Sequence, residues 1–449
     1  MARDARFDGL FFTAVKTTKI YCRPICPVNQ PQEKNVHYYR TAVEAAKAGY
    51  RPCLRCRPDS APHSFVWQGT QTSFQRALRL INQGALQQAS VDDLADRLGI
   101  TGRYLRKLFS QYLGTSPKHY ALYQQCLFAK QLLHQSDLPI TQIAFAAGFK
   151  SIRRFNDAFK KNMALSPSKI RDRKSGLAAH TLKLKLHYRP PFAWQHSHKF
   201  LKSRQIPGLE WSDDHSYSRT IDYKGTQGFF TVEPQAAENF LLLTVHLNDT
   251  QNLHIITQKI RHIFDLDAPV AQIDDQISRI FSSHLDYLYG LRVPGIWGLF
   301  EAGIRAILGQ QVSVKAAHNL VTLFVDNLGE TAEITGLIGK KYFPKPEAVH
   351  EHPLGFLKMP AARKETIRQL AKYFLQQDKP ENIDQWAKIK GIGQWTIDYV
   401  KMRGGQNPDI WLDGDAGIKN ALKQCPQPLP VDAAAPWRSY LTFQMWNQL

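Results

Sequence analysis

Between residues 90 and 163 apolar side chains recur three and four positions apart, the spacing that lines one face of a helix. SVDDLADRLGITGRYLRKLFSQYLG (90–114) predicts a helix packed through Leu94, Ala95 and Leu98, opened by Ser90 as N-cap with Asp93 three residues on. Gly99 supplies the turn, and a second helix begins near Thr101. PITQIAFAAGFKSIRRFNDAFKKNM (139–163) repeats the plan, with Ile140, Ile143 and Ala144 packing and Gly148 turning; a linking helix is predicted over 117–134. From 181 the period shortens to two. LKLKLHY (182–188) alternates and FLLLTVHL (240–247) is a compact apolar strand. Residues 286–449 return to helical spacing, broken by Gly and Pro, and RDRKSGLAAH (171–180) has the charge, Ser and Gly of an exposed hinge.

A chain of 449 residues is too long for one hydrophobic core. The pattern divides it into a small four-cysteine domain (1–65), an all-α domain with two helix-turn-helix units (70–172), a β-rich α+β subdomain (180–285) and an all-α domain (286–449): a multidomain α+β protein. No apolar run approaches the roughly 20 residues that cross a bilayer. The N-terminal MARDARFDGLFF lacks the apolar stretch and cleavage site of a secretory signal, so a cytoplasmic location without a membrane partner is expected.

Charge sharpens this picture. Residues 1–176 hold 28 Lys and Arg against 11 Asp and Glu, a net +17, while the remaining 273 carry only +3. Such an excess suits a polyanionic partner such as nucleic acid, although a solubilising surface would give the same number.

Four of the six cysteines, Cys22, Cys26, Cys53 and Cys56, lie within 35 residues. Two short knuckles can set four sulfurs around one Zn²⁺ at about 2.3 Å. A purely structural staple is one reading. The basic residues around it, Lys16, Lys19, Arg23, Arg40, Arg51, Arg55 and Arg57, favour a site held against a phosphate backbone. A zinc-bound thiolate is also a nucleophile at neutral pH. Cys126 and Cys425 stand alone and read as inert.

VKTTKIYCRPIC (15–26) and GYRPCLRCRPD (49–59) resemble the N-terminal domain of the bacterial adaptive-response (Ada) factors. The resemblance implies that Cys22, in the YCRP context, irreversibly accepts a methyl group from a methyl phosphotriester in DNA. Neutralising one thiolate should then strengthen DNA binding. The paired helix-turn-helix units and the closing LSPSKIR (165–171) resemble the AraC-type DNA-binding domain. In them Arg103, Arg106, Lys107, Ser151, Arg153 and Arg154 would contact the duplex; a generic helical bundle with solvated charges is the plainer alternative.

WAKIKGIGQWTIDYV (386–400) reads as helix, GIG turn, helix, with Gly391 and Gly393 letting the backbone approach a phosphate. Asp415 follows Gly393 by 22 residues, in IWLDGDAGIKNAL (410–422). This resembles the helix-hairpin-helix DNA glycosylases and implies that Asp415, in preference to the nearby Asp413, is the catalytic carboxylate. A desolvated carboxylate there would stabilise positive charge developing on the sugar as the base departs. Bifunctional members carry a lysine where this chain has Trp395, which implies a monofunctional enzyme without lyase chemistry. LHYRPPFAW (186–194), LRVPGIWGLFEAGIRAILGQQVSVKAA (291–317) and PWRSYLTFQMW (436–446) narrow the resemblance to AlkA-type 3-methyladenine glycosylases. It implies a base pocket of Phe200, Trp395, Tyr399 and Trp437, a monovalent cation at the carbonyls of Ile389 and Gly391, and Gln311 as the residue entering the duplex. Gln311 and Ala416 depart from the family's leucine and tyrosine at those positions.

The sequence therefore predicts a regulator that senses methyl phosphotriesters through Cys22 and one Zn²⁺ and excises alkylated bases through Asp415. It would act on double-stranded DNA as a nucleoid-associated monomer, with RNA polymerase as a further partner. Two alternatives remain at this point: a transcription factor with a non-catalytic glycosylase-like module, and a glycosylase whose zinc half is only a tether.

Overall fold

The computed structural model describes residues 11–449 apart from 27, 30, 41, 54–55, 57, 59–71, 172–180, 282–284, 334–336, 378–379 and 426. The hinge expected at 171–180, beyond Arg171, and the basic residues Arg55 and Arg57 lie outside the described residues. The chain forms two compact units, residues 1–188 with 249–258, and residues 189–248 with 259–449.

The first unit opens with short strands β1 (Phe12–Val15), β2 (Ile20–Cys22), β3 (Val36–Tyr39) and β4 (Arg51–Pro52), in the order β3-β1-β2-β4. β1 pairs antiparallel with β2 and β3, and β2 runs parallel to β4. Phe12, Ala14, Tyr21, Tyr50 and Ala45 of helix α1 (Ala42–Lys47) make its core. So few apolar side chains hold a module only with a further constraint, and the cysteines stand at its edge. Strands of two to four residues are too short for alternation to register, so this sheet was not predicted.

Helices α2 (Thr72–Asn82), α3 (Ala85–Gln88), α4 (Val91–Arg97), α5 (Gly102–Leu113), α6 (Pro117–Gln135), α7 (Ile140–Ala146), α8 (Ile152–Met163) and α9 (Pro167–Ile170) follow, then strand β5 (Thr181–His187). The Ser90–Asp93 capping box is complete in both directions. Gly99 and Gly148 turn the two pairs at φ +69° and +85°, a conformation that favours glycine. The cysteine module packs on these helices: the Tyr21 and Tyr123 hydroxyls share a buried hydrogen bond, and Lys47 Nζ donates to Gly114 O at 2.8 Å.

In the second unit α10 (Trp194–Lys202) precedes the antiparallel strands β6 (Glu210–Ser212), β7 (Tyr217–Tyr223), β8 (Thr226–Gln235) and β9 (Phe240–Leu247), ordered β9-β8-β7-β6. α11 (Leu253–Ile263), whose residues up to Gln258 belong to the first unit, and α12 (Val270–Ile277) lead to α13 (Leu299–Leu308), α14 (Val314–Leu328), α15 (Pro346–Glu351), α16 (Ala361–Gln376), α17 (Gln394–Arg403), α18 (Ala416–Leu422) and α19 (Arg438–Trp446). Ile304, Ile307, Phe324, Leu370, Val400 and the fully buried Trp386 fill their core. A buried ionic cluster ties the sheet to α13. Arg219 donates to Glu210 at 2.7 Å and to Glu301 at 2.5 Å, and Arg305 donates to both carboxylates at 2.9 Å.

Candidate functional sites

The β1–β2 pairing sets Cys22 opposite Thr13, and the Cys53 N–H donates to Tyr21 O at 2.9 Å directly after β4. Cys26 closes a turn by donating its N–H to Arg23 O at 3.1 Å. The Sγ atoms of Cys22, Cys26, Cys53 and Cys56 all lie within 4.8 Å of one another. A tetrahedral Zn²⁺ with bonds of about 2.3 Å needs sulfurs about 3.8 Å apart, so the donor set fits that ion. The thiols push one another's pKa up: Cys22 mainly through its hydrogen bond with Cys53, Cys56 mainly through that with Cys22. Four thiolates so close require a cation between them.

The sulfurs are not equivalent. The Arg23 N–H donates to Cys56 Sγ at 3.4 Å, drawing electron density from that sulfur. Lys16, Lys19 and Arg40 are exposed around the module, Arg23 and Arg51 half-buried, and Lys16 Nζ also donates to Lys34 O at 3.0 Å. Cys126 is buried in α6, which pushes its thiol up, and Cys425 points back at Ala421 O.

Arg103, Arg106 and Lys107 are exposed on α5, and Arg153 and Arg154 on α8. Arg106 pairs with Asp92 at 3.1 Å, which sets its direction. Ser151 is committed locally, accepting the Arg154 N–H as N-cap. Its hydroxyl thus shapes the helix that carries the arginines.

In the second unit Asp415 is the N-cap of α18, its Oδ1 accepting the Ile418 N–H at 3.1 Å. Trp446 Nε1 donates to Oδ1 at 2.9 Å and Trp395 Nε1 to Oδ2 at 3.2 Å. The carboxylate is half-buried and held by three donors, whereas the sequence had suggested a desolvated group. Asp413 is exposed.

From Asp415 the contacts run in a closed circuit. Trp395 stacks on Tyr399 at 5.3 Å, and the Tyr399 hydroxyl accepts from Arg403 Nη1 at 2.9 Å. Arg403 lies 4.9 Å from the Phe200 ring centre; Phe200 meets Phe443 at 5.3 Å, and Phe443 meets Trp446 at 4.9 Å. Phe200, Trp395 and Tyr399 are therefore brought together with Asp415. Trp437 is not in this circuit: it is buried at the start of α19, edge-on to Tyr440. The tryptophan that donates to the carboxylate is Trp446, which closes PWRSYLTFQMW. Phe200 also carries Arg204 at 3.9 Å, so a guanidinium already covers part of its π-face. Burial and the neighbouring Arg403 charge lower Arg204 to about 10.

The GIG turn joins a 3₁₀ turn (Ile383–Lys388) to α17, and Gly393 caps α17. Gly391 adopts φ +94°, and a Cβ there would meet Thr366 Oγ1 at 2.2 Å. Thr366 Oγ1 in turn donates to Lys390 O at 2.9 Å. Ile389 O accepts the Ile392 N–H and Gly391 O accepts Gln310 Nε2, leaving each carbonyl a second lone pair for a cation. Gln310 Nε2 also donates to Thr396 Oγ1 at 2.9 Å. Beside it, Gln311 is exposed with φ +55°, unusual for a residue with a Cβ, and it protrudes together with Val312 and Val314.

Among the described residues no helix is long and apolar enough to cross a membrane. Three family profiles match the chain: the metal binding domain of Ada over residues 1–59, a helix-turn-helix domain over 94–173 and the AlkA N-terminal domain over 183–298. DNA-3-methyladenine glycosylase 2 of Escherichia coli is 30% identical over 288 residues, covering 58% of this chain and 95% of that one. The bifunctional transcriptional activator/DNA repair enzyme Ada of the same organism is 36% identical over 132 residues, 29% of this chain and 35% of its own. The probable bifunctional transcriptional activator/DNA repair enzyme AlkA of Mycobacterium tuberculosis is 34% identical over 473 residues, all of this chain and 95% of that protein. With an Ada metal-binding module, a helix-turn-helix domain and an AlkA half joined in one order along one chain, the protein belongs to the family of bifunctional transcriptional activator/DNA repair AlkA proteins.

Proposed function

We propose that the second unit is a monofunctional DNA glycosylase that hydrolyses the N-glycosidic bond of 3-methyladenine and related alkylated bases. The observation that carries this reading is the Asp415 carboxylate, oriented by the Trp395 and Trp446 indoles beside stacked aromatic rings. As the bond to the base lengthens, positive charge gathers at the sugar and Asp415 answers it, orienting the attacking water. Trp395 and Tyr399 give an electron-poor base a π-surface, and Gln311 enters the gap left by the flipped nucleotide. The amides of Gly391 and Gly393 approach a backbone phosphate, where a monovalent cation would be shared with the Ile389 and Gly391 carbonyls. With Trp395 where a lyase would carry an amine, no Schiff base forms. Asp415→Asn should lower base release from methylated duplex by at least about a hundredfold without altering folding. Near-normal release would reject the assignment.

In the first unit Cys22 takes the methyl group of a methyl phosphotriester. A sulfur–carbon bond forms, the phosphate oxygen–carbon bond breaks, and the freed electron pair restores the phosphodiester anion. Cys22, Cys26, Cys53 and Cys56 would hold a Zn²⁺, which would keep the attacking sulfur deprotonated. The Arg23 N–H on Cys56 supports Cys22 as the more reactive partner. Methylation lowers the negative charge at the site, so the helix-turn-helix domain, through Arg103, Arg106, Lys107, Arg153 and Arg154, holds promoter DNA more tightly and acts on RNA polymerase as a monomer in the nucleoid. Incubation with methylated DNA should add about 14 Da, one CH₂, to the peptide containing Cys22. An unchanged mass would leave the zinc module a structural tether.

A further inference from the structure

Resting on the reading that the first unit binds duplex DNA, we propose that α8 reads a thymine 5-methyl group through Ile152, with Asn156 reading an adenine about two base pairs along.

Phe155, Phe159 and Met163 of α8 are buried, as its amphipathic pattern requires. Ile152, the first residue of the same helix, is 38% exposed. Lys150, Arg153, Arg154 and Asn156 around it are exposed as well, a cationic and polar ring around one hydrocarbon side chain. Charge matching directs this end of the helix to a polyanion, and a major groove is wide enough to take a helix. An isoleucine makes no hydrogen bond, so the groups it can recognise there are apolar, and the major groove offers one on a base edge, the methyl of thymine. Ser151 is occupied as the cap, receiving the Arg154 N–H at 3.3 Å, which leaves Ile152 as the foremost side chain not engaged in shaping the helix end.

Asn156 follows Ile152 by four residues and so lies on the same side of α8, about 6 Å further along the axis. Carboxamides pair with the N6 and N7 edge of adenine. At about 3.4 Å per base pair, 6 Å corresponds to two steps, so the half-site facing α8 holds a thymine and an adenine at that separation. Arg153 and Arg154 flank this face and suit phosphates, which position the helix without specifying sequence.

The test uses the full chain and random-sequence duplexes made with thymine or, in a parallel pool, with deoxyuridine, which lacks only the methyl. Wild-type protein should enrich a motif containing thymine and adenine two pairs apart, and deoxyuridine at that thymine should weaken binding about fourfold, the worth of one buried methyl. Ile152→Ala should melt with wild type, bind both pools equally, and retain the wild-type salt dependence. Asn156→Ala should relax the adenine and leave the thymine preference. Equal wild-type binding to thymine and deoxyuridine at every position of the motif, or discrimination that survives Ile152→Ala, would overturn the proposal. Retention of neither pool would remove the DNA-binding reading, and the proposal with it.

Discussion

Replacing Trp446 by Phe removes the indole N–H together with the five-membered part of the ring and leaves a smaller aromatic ring in its place. The indole N–H donates to Asp415 Oδ1 at 2.9 Å, while the ring packs edge-on to Phe443 at 4.9 Å, a contact phenylalanine keeps. Asp415 retains the Trp395 and Ile418 donors, at 3.2 and 3.1 Å. A hydrogen bond to a charged group contributes about 1.5–3 kcal/mol. If that bond aligns the carboxylate against charge that exists only in the transition state, its loss lowers kcat about 10- to 150-fold and leaves KM within about twofold. Trp395→Phe should lower kcat likewise and also raise KM, since Trp395 is proposed to face the base, and in kcat the double variant should lose less than the product of the two, since both indoles hold one group. The assay is single-turnover release of methylated purines from alkylated duplex, with melting temperature as the folding control. A Trp446→Phe enzyme whose kcat stays within twofold of wild type, or whose loss lies entirely in KM, refutes the claim that the indole positions Asp415.

Glu301→Gln in the buried ionic cluster leaves Arg219 and Arg305 with one carboxylate between them and should destabilise the second unit by about 3–5 kcal/mol, read as a lower urea midpoint. Gly391→Ala forces a Cβ against Thr366 and a left-handed backbone on alanine; a loss of roughly 1–3 kcal/mol and weaker binding to undamaged duplex are expected, checked by melting and by anisotropy. His254 is buried beside Phe128 and near Gln87, and burial lowers it to about 4. Its folded pKa lies below the unfolded value near 6.5, so between pH 6.5 and 4 the unfolded chain binds a proton that the folded chain does not, and stability falls with falling pH. The slope amounts to roughly 3 kcal/mol over that window; denaturant titrations of His254→Phe should lack this contribution.

Periodic segments were legible in advance because one face of each is buried: both helix-turn-helix pairs, the linking helix and strands β5 and β9 fall where the spacing put them. The short strands around the cysteines were not, since β2 and β4 have three and two residues and are fixed by pairing with distant segments. At the proposed glycosylase site, Asp415 and the GIG turn carry local signatures. Trp446 and Arg403 do not: each acts through a partner distant in the chain, Trp446 on Asp415 and Arg403 on Phe200, while Arg204 covers the Phe200 ring from only four residues away. A tryptophan ending a helix buried all round reads as ordinary packing until the carboxylate opposite its N–H is known.

Gln310 reaches from the loop after α13 to Gly391 and Thr396, and Gln311 is its neighbour. The side chain proposed to enter the duplex and the turn proposed to face a phosphate are thus bolted to one plate. On the proposed reading, a duplex seated on the turn would meet Gln311 at a spacing set by the protein, a built-in ruler between the gripped phosphate and the extruded nucleotide.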